Sequence, residues 1–575
     1  MHLRSSWQGD RSSIRLGRAS DRATVYLPIT LLIVLVATPV SFLLFGSFRS
    51  AGPGAPGASF TLSNWDTVLD SAGRNYLQNS LQLGITTSAV AVPLGTLMAW
   101  IISRTDTPGR RFFGSALLVP LLFSPLLTAL AWSGIAAPNS GLINVIAREA
   151  FGNTRPIMDA YSFPMLVLVL SLHFTPYVYL AVRPALSAMD RDMEDASQIL
   201  GARYGTTLRR VTLPLVLPAV LGSGILVAVL AAENFSAIAV LGVQSGFLTI
   251  PYGIYESFAS FPSNPTRGGA LGLLLLVVTV FGMSLYLWTI RKSTRYVTVS
   301  GKGSRSSLRQ LSRAGRVVTF GILSLYLFIS VVLPYAVLVV GSFSRYFTVE
   351  NFTLDILTLQ NYESLFASDV FPRAMGNTLV LVLIGASVAV LLGAFSGWIA
   401  VRGQGRAKKA VDYLSTMPIM IPGVALGLGM FWAYVFLSVP IYGTIGILAV
   451  AYVTRFMGHS TRIVSSSLLQ ISPQLEEAAR TLGSTRIAAF RIITLRLLRS
   501  GMGAAWILIA IFISLEVPAS ILLYTGSSVP ASIQVYLAME GGVVSQAFAA
   551  GCVLATLSLA VTLLAQWRFR IFEHL

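Results

Sequence analysis

Two carboxylates fall inside long apolar runs: Glu233, in Ala-Ala-Glu-Asn-Phe-Ser, and Glu516, in Ser-Leu-Glu-Val-Pro-Ala, 283 positions apart. An ionisable group surrounded by hydrocarbon costs several kcal/mol unless it faces a partner or a wet cavity. The spacing puts the two at equivalent places on the fifth helix of each half of a duplicated chain, and two readings fit. Both line a translocation path near an outer gate, where carboxylates favour a cationic substrate, or each bonds a neighbouring helix or a broken backbone such as the one Pro518 leaves. His173, beside Thr175, Pro176 and Tyr177, has the same two readings: lining the path or bonded across helices. Its counterpart in the other half is Arg455, so it forms no symmetric pair.

A second pattern occurs twice. The first copy reads Asp195-Ala196-Ser197, then Gly201, then Val211-Thr212-Leu213-Pro214; the second reads Glu477-Ala478-Ala479, then Gly483, then Ile493-Thr494-Leu495-Arg496. In each, the glycine follows the acid by six residues and the branched residue follows the glycine by ten. This spacing predicts a short helix whose acid suits the helix dipole, a sharp turn that glycine permits, and a second helix. Arg209, Arg210, Arg491, Arg496 and Arg499 mark the return to a membrane surface.

Other chemistry is excluded by what the chain lacks. One cysteine, Cys552, rules out a disulfide framework or a thiolate metal cluster, and four scattered histidines (His2, His173, His459, His574) assign no metal site. Gly301-Lys302-Gly303-Ser304 lacks the upstream glycine of a phosphate-binding loop, so the chain does not itself hydrolyse ATP. No cofactor and no catalytic residue are expected.

The elements that position these residues follow from composition. Of 575 residues, 54% are hydrophobic and 11% charged, with mean hydropathy +0.72, whereas soluble domains carry about 25% charged residues. The chain is expected to be an all-α polytopic membrane protein. Stretches of about 20 apolar residues lie near 26–48, 79–102, 112–137, 161–182, 214–242 and 268–290, then 317–341, 377–401, 411–437, 441–460, 501–524 and 543–567. The first is expected to be a retained helix, since no small-residue cleavage site follows it. The stretch 441–460 is the weakest, because it ends in Arg455 and His459. Pro120, Pro125, Pro418 and Pro422 are expected to bend the third span of each half. With both termini cytoplasmic, 34 of the 41 Lys and Arg fall inside, as membrane orientation requires. The net charge of +18 thus reports topology, and no nucleic-acid partner is expected.

The halves repeat in the same direction. Phe45-Gly46-Ser47-Phe48 matches Val340-Gly341-Ser342-Phe343, Asn64 matches Asn361, Asn79-Ser80-Leu81 matches Asn377-Thr378-Leu379, and Trp100 and Arg104 match Trp398 and Arg402. The expected organisation is a tail at 1–25, six spans over 26–290, a basic linker at 291–316, six spans over 317–567, and a tail at 568–575. Two parallel six-helix repeats around a central path are transporter architecture. A twelve-span secondary transporter shares that repeat but not the duplicated loop, and a membrane enzyme would need a His, Asp or Cys cluster at one face. The linker either fixes orientation or touches anionic lipid headgroups.

The duplicated loop resembles the EAA loop (E-A-A-x3-G-x9-I-x-L-P) of permease subunits from binding-protein-dependent ABC importers, and the resemblance covers nearly the whole chain. It departs from that pattern at Asp195-Ala196-Ser197 and at Arg496, which stands where proline is expected; the first departure implies looser coupling for that copy. The resemblance implies a type I importer permease whose loops, at Asp195, Ala196, Ser197, Gly201, Leu213 and Pro214 and at Glu477, Ala478, Ala479, Gly483 and Leu495, dock two copies of a cytoplasmic ABC ATPase. ATP would act through that partner, and an external solute-binding protein would deliver substrate across a bacterial inner membrane. The fused form, the Tyr296–Gly303 stretch and the Gly-Ser-Phe ending of the first span resemble iron(III) permeases most. Thiamine, phosphonate and polyamine importers are the sister classes.

Overall fold

Apolar sequence in hydrocarbon must satisfy its own backbone, and the helix does so within one segment. The computed structural model describes residues 10–153, 155–189, 192–293, 308–345 and 357–569, so the Tyr296–Gly303 stretch lies outside it. Among the described residues no β-strand forms, only isolated bridges. Eight helices are long and apolar enough to cross a membrane, and four further helix pairs pass the same test but bend sharply at a break.

The spans of the first half are Asp10–Ser47, Ser71–Arg104, a broken third span, Phe163–Ala188, Leu213–Ala232 and Pro265–Ser293. The second half runs Arg313–Phe343, Val370–Arg402, another broken third span, Ile445–Leu469, Arg499–Ser514 and Val544–Phe569; Ile445–Leu469 does not pass the apolar-span test and takes its place as a span from the repeat. The third spans break at their prolines, by 93° between Arg110–Leu122 and Pro125–Ala136 and by 106° between Gly405–Met420 and Gly423–Phe436. Proline removes a backbone donor and blocks the preceding turn. Ser124 restarts the first of these helices by accepting from Leu127 N at 3.2 Å.

Three expected boundaries are corrected. The fifth spans do not continue to 242 and 524; they stop at Ala232 and Ser514. After each stop the chain turns back on itself. In the first half the returning segment is Ile238–Ser245 followed by Ile250–Ala259 at 87°; in the second it is a short turn at Ser520–Leu522 followed by Ala531–Glu540. The fourth span of the second half runs on to Leu469, which puts Arg455 and His459 mid-helix instead of at an end and removes Arg455 from the 34 basic residues expected inside. Their polarity, facing inward, disguised the true length.

The repeated motifs explain themselves as contacts. Asn64 donates to the carbonyls of Ser47 and Arg49 at 3.1 and 2.8 Å, and Asn361 donates to those of Ser342 and Ser344 at 3.0 and 2.9 Å. Each closes the end of the first span. Asn79 donates to Leu248 O, and Ser80 Oγ accepts from Ile250 N; Asn377 donates to Ser527 O and Val529 O, and Thr378 Oγ1 accepts from Ala531 N. Each pair pins a returning segment to the second span.

The halves interlock. Asp10–Ser47 packs against Gly423–Phe436 of the other half, and Leu333–Phe343 packs against Pro125–Ala136 in the converse arrangement. The approach is close: a Cβ on Gly46 would stand 2.5 Å from the Trp432 ring, and one on Gly429 would stand 2.2 Å from Pro39 O. The glycine of the Gly-Ser-Phe ending therefore has a packing role.

Candidate functional site

The breaks and turn-backs converge on a cavity of about 230 Å³ at the junction of the halves. His173 and Arg455 reach it from the middle of their fourth spans, Glu233 and Glu516 from the ends of the fifth, and Pro125, Pro418 and Gly423 from the broken third spans. All three path candidates of the sequence therefore meet in one chamber, joined by Arg455 and by His459, which sequence reasoning left unassigned.

The two carboxylates are not equivalent. Glu516 Oε1 accepts from Ala519 N at 2.9 Å, just as Asn234 Oδ1 accepts from Ala237 N at 2.9 Å. The positional partner of Glu516 is thus Asn234, at the same 282-residue offset that relates the duplicated loops, and the 283-residue pairing is a slip of one position. Glu516 Oε2 also lies 3.4 Å from Arg455 Nε, in a largely buried ion pair. Its side chain therefore both caps the turn at Pro518 and lines the chamber. Glu233 has neither kind of partner among the described residues, and its half-buried side chain faces the cavity.

Other polar atoms in the chamber are also left open. Arg455 Nη1, His173 Nδ1 and His459 Nδ1 are buried without a hydrogen-bond partner among the described residues. Buried polar atoms are ordinarily satisfied, so a cluster without partners asks for a role. The Arg455 guanidinium rests on Gly423, where a Cβ would fall 1.4 Å from Nη1. The two acids outnumber the one guanidinium, so with all three ionised the chamber favours a cation.

The duplicated loops lie at the opposite end of the fifth spans. Asp192–Ile199 carries Asp195, Ala196 and Ser197; Gly201 follows at φ +84°, and the chain re-enters the fifth span through Leu213 and Pro214. Gln474–Thr481 carries Glu477, Ala478 and Ala479; Gly483 follows at φ +90°, and Leu495 lies in the return helix. Positive φ is where glycine is favoured over other residues. Asp195 and Glu477 are exposed. Beside each glycine an apolar side chain projects into the open, Leu200 at 87% and Leu482 at 88% exposure.

Sequence reasoning missed the neighbouring acids, which hold these loops in place. Glu194 accepts from Thr212 Oγ1 at 2.6 Å and lies 3.9 Å from Arg104; Glu476 accepts from Thr494 Oγ1 at 2.6 Å and lies 3.9 Å from Arg402. Trp398 Nε1 donates to Glu476 at 3.2 Å. Arg104 also reaches Met189 O, and Arg402 reaches Leu468 O and Ile471 O. The signal was present in the repeated Trp-x3-Arg and in Thr212 and Thr494, all of which align between the halves.

This is the build of a membrane permease made of two like halves, with a polar chamber between them and a matched pair of loops at one face. The chain belongs to the family described as binding-protein-dependent transport system inner membrane component, which matches residues 91–295 and 389–574. It is therefore a multi-pass inner-membrane permease of the ABC transporter class. Among its relatives, Fe(3+)-transport system permease protein FbpB 2 of Haemophilus influenzae is 24% identical over 80% of this chain and 83% of its own length. Ferric transport system permease protein FbpB of Actinobacillus pleuropneumoniae is 25% identical over 87% of this chain and 73% of its own. A Salmonella typhi protein named as a 2-aminoethylphosphonate transport system permease, PhnU, is 28% identical but matches 45% of this chain and 88% of itself.

Proposed function

We propose that this chain is the translocation subunit of an ATP-driven importer for iron(III), with both termini in the cytoplasm. One observation carries the importer reading: the two loops share one geometry, each offering an exposed acid and an exposed leucine beside a left-handed glycine. Each presents a docking surface to one cytoplasmic ABC ATPase, with Asp195, Ala196, Ser197 and Gly201 forming one and Glu477, Ala478, Ala479 and Gly483 the other. Leu213, Pro214 and Leu495 join these surfaces to the fifth spans. Closure of the ATPases would push the fifth spans, whose far ends carry Glu233 and Glu516. The chamber then alternates between the two sides of the membrane, and ATP is hydrolysed only by the partner.

Iron(III) is favoured by the ferric relatives that match most of the chain and by the surplus carboxylate in the chamber. A phosphonate substrate is the second reading, favoured by the open Nη1 of Arg455 and by the half-length match to PhnU. In either case an external solute-binding protein delivers the substrate. The deciding experiment is uptake in cells lacking this chain, with labelled iron(III), 2-aminoethylphosphonate and thiamine compared. Selective loss of iron uptake, restored by the gene, is the expected result. Normal iron uptake with loss of either other substrate would move the chain to a sister class.

A further inference from the structure

The turn-backs do more than close the central chamber. On their far side lies a larger cavity of about 520 Å³, bordered by Tyr161, Gln244, Tyr252, Tyr536 and Glu540. The two returning helices supply its chemistry, one from each half. Ala531–Glu540 carries Tyr536 and, four residues on, Glu540, a spacing that shares one helix face; Ile250–Ala259 carries Tyr252, which borders the cavity, and Tyr255, which does not border it but reaches Glu540 at its edge. The Tyr255 hydroxyl donates to Glu540 Oε1 at 3.2 Å, and the Tyr536 hydroxyl approaches the same oxygen at 3.3 Å.

Three features set this group apart from a structural tie. Glu540 is the last residue of its helix, where the dipole disfavours an anion, and it is exposed at the cavity. Its bonds to the phenols are long. By contrast, the Tyr76 hydroxyl meets Glu256 at 2.6 Å in a closed pair outside this cavity. The tyrosine faces are also occupied by other rings: Tyr255 meets Tyr252 at 5.8 Å and Tyr536 at 6.1 Å, both edge-on, and Phe235 stacks on Tyr252. The oxygens rather than the π faces are therefore offered to a ligand, whereas a cage for organic cations presents faces.

We propose that Tyr255, Tyr536 and Glu540 form an oxygen-donor site that receives a hard, highly charged cation at the outer mouth, before it passes to the inner chamber. Hard cations select carboxylate and other oxygen ligands. As each oxygen–metal bond forms, the phenol gives its proton to water, and no electron moves. Phe235, fully buried between the Tyr252, Tyr255 and Tyr536 rings, separates this site from Asn234 and Ser236 on the wall of the inner chamber. The site rests on the iron(III) reading and deepens it.

The test uses the full chain in lipid nanodiscs without its ATPase, titrated with ferric nitrilotriacetate. A visible phenolate-to-iron charge-transfer band is expected. Tyr255→Phe with Tyr536→Phe should abolish the band, Glu540→Gln should weaken iron affinity at least tenfold, and Tyr76→Phe should leave both unchanged, which controls for folding. No band in the wild type, or a band that survives the double tyrosine variant, overturns the site. A fluorescence response to choline without a band also overturns it and gives the cage to organic cations. Absence of the band together with iron uptake that depends on the gene removes this site alone and leaves the importer reading intact.

Discussion

Arg455 lies in a chamber with two carboxylates that are held very differently. Glu516 is fixed by Ala519 N and by the guanidinium itself, whereas among the described residues Glu233 is held by neither a hydrogen bond nor an ion pair. Replacing Glu516 with glutamine keeps an oxygen for the cap but removes the ion pair of Arg455, leaving Glu233 across the cavity as its remaining countercharge. Breaking such a pair costs about 3–5 kcal/mol, and the lower figure is expected here because Glu233 faces the same cavity. Glu233→Gln leaves nothing unpaired, so thermal unfolding in nanodiscs should barely move while uptake of a cationic substrate falls. A large loss of stability from Glu233→Gln, or unchanged uptake, would remove it from the path. At this scale the acids were legible because charge inside apolar sequence is conspicuous. Their true relationship was not, because residue spacing alone cannot distinguish an offset of 283 from one of 282; the matching bonds of Asn234 and Glu516 can.

The elements at the loop-bearing face are held by a strap as well as by the loop acids. Arg309 exchanges backbone bonds with Arg104 and Asp106 just after the second span, Leu311 N donates to Asp106 Oδ1 at 2.9 Å, and Arg316 meets Asp106 Oδ2 at 2.5 Å. The Arg316 guanidinium, then the Leu311 amide, hold the Asp106 carboxyl below its ordinary value. A carboxyl whose folded value is lowered stabilises the docked strap above the ordinary carboxylate range, and this is lost as pH falls through the lowered value. Amide hydrogen exchange at Arg309 and Leu311 should therefore show protection at neutral pH that disappears only in strong acid, after intrinsic rates are corrected. Asp106→Asn should remove it at every pH, and protection that ignores both changes would refute the linkage. The sequence showed a basic linker here and no more, since the docking depends on partners some 200 positions away. The loops behaved alike: the glycines and exposed acids were readable, but burial of Glu194 and Glu476 depends on Arg104 and Arg402 from another span.

Across the whole molecule, each first span crosses to pack on the other half, so the halves are interlocked within one chain. The repeat was legible because both halves kept the same contacts, as Asn64 with Asn361 and Asn79 with Asn377 show. The crossing was not, because apolar periodicity marks a buried face without naming what covers it. One chain carrying both loops predicts a definite stoichiometry. Among the described residues a Cβ at Gly201 or Gly483 would meet nothing within 4 Å, so substitution there carries chiefly the backbone cost of positive φ, about 1–2 kcal/mol for a residue with a side chain. Gly483→Val should therefore weaken ATPase docking at its own loop roughly tenfold and leave the Gly201 loop intact. Native mass spectrometry at limiting ATPase concentration should find one ATPase on each single variant and none on the double. Uptake should nonetheless fall as far in either single variant as in the double, because the interlocked halves require both fifth spans to be driven. A single variant that transports at half the wild-type rate would show that each loop drives its own half independently, and interlocking would then play no part in coupling.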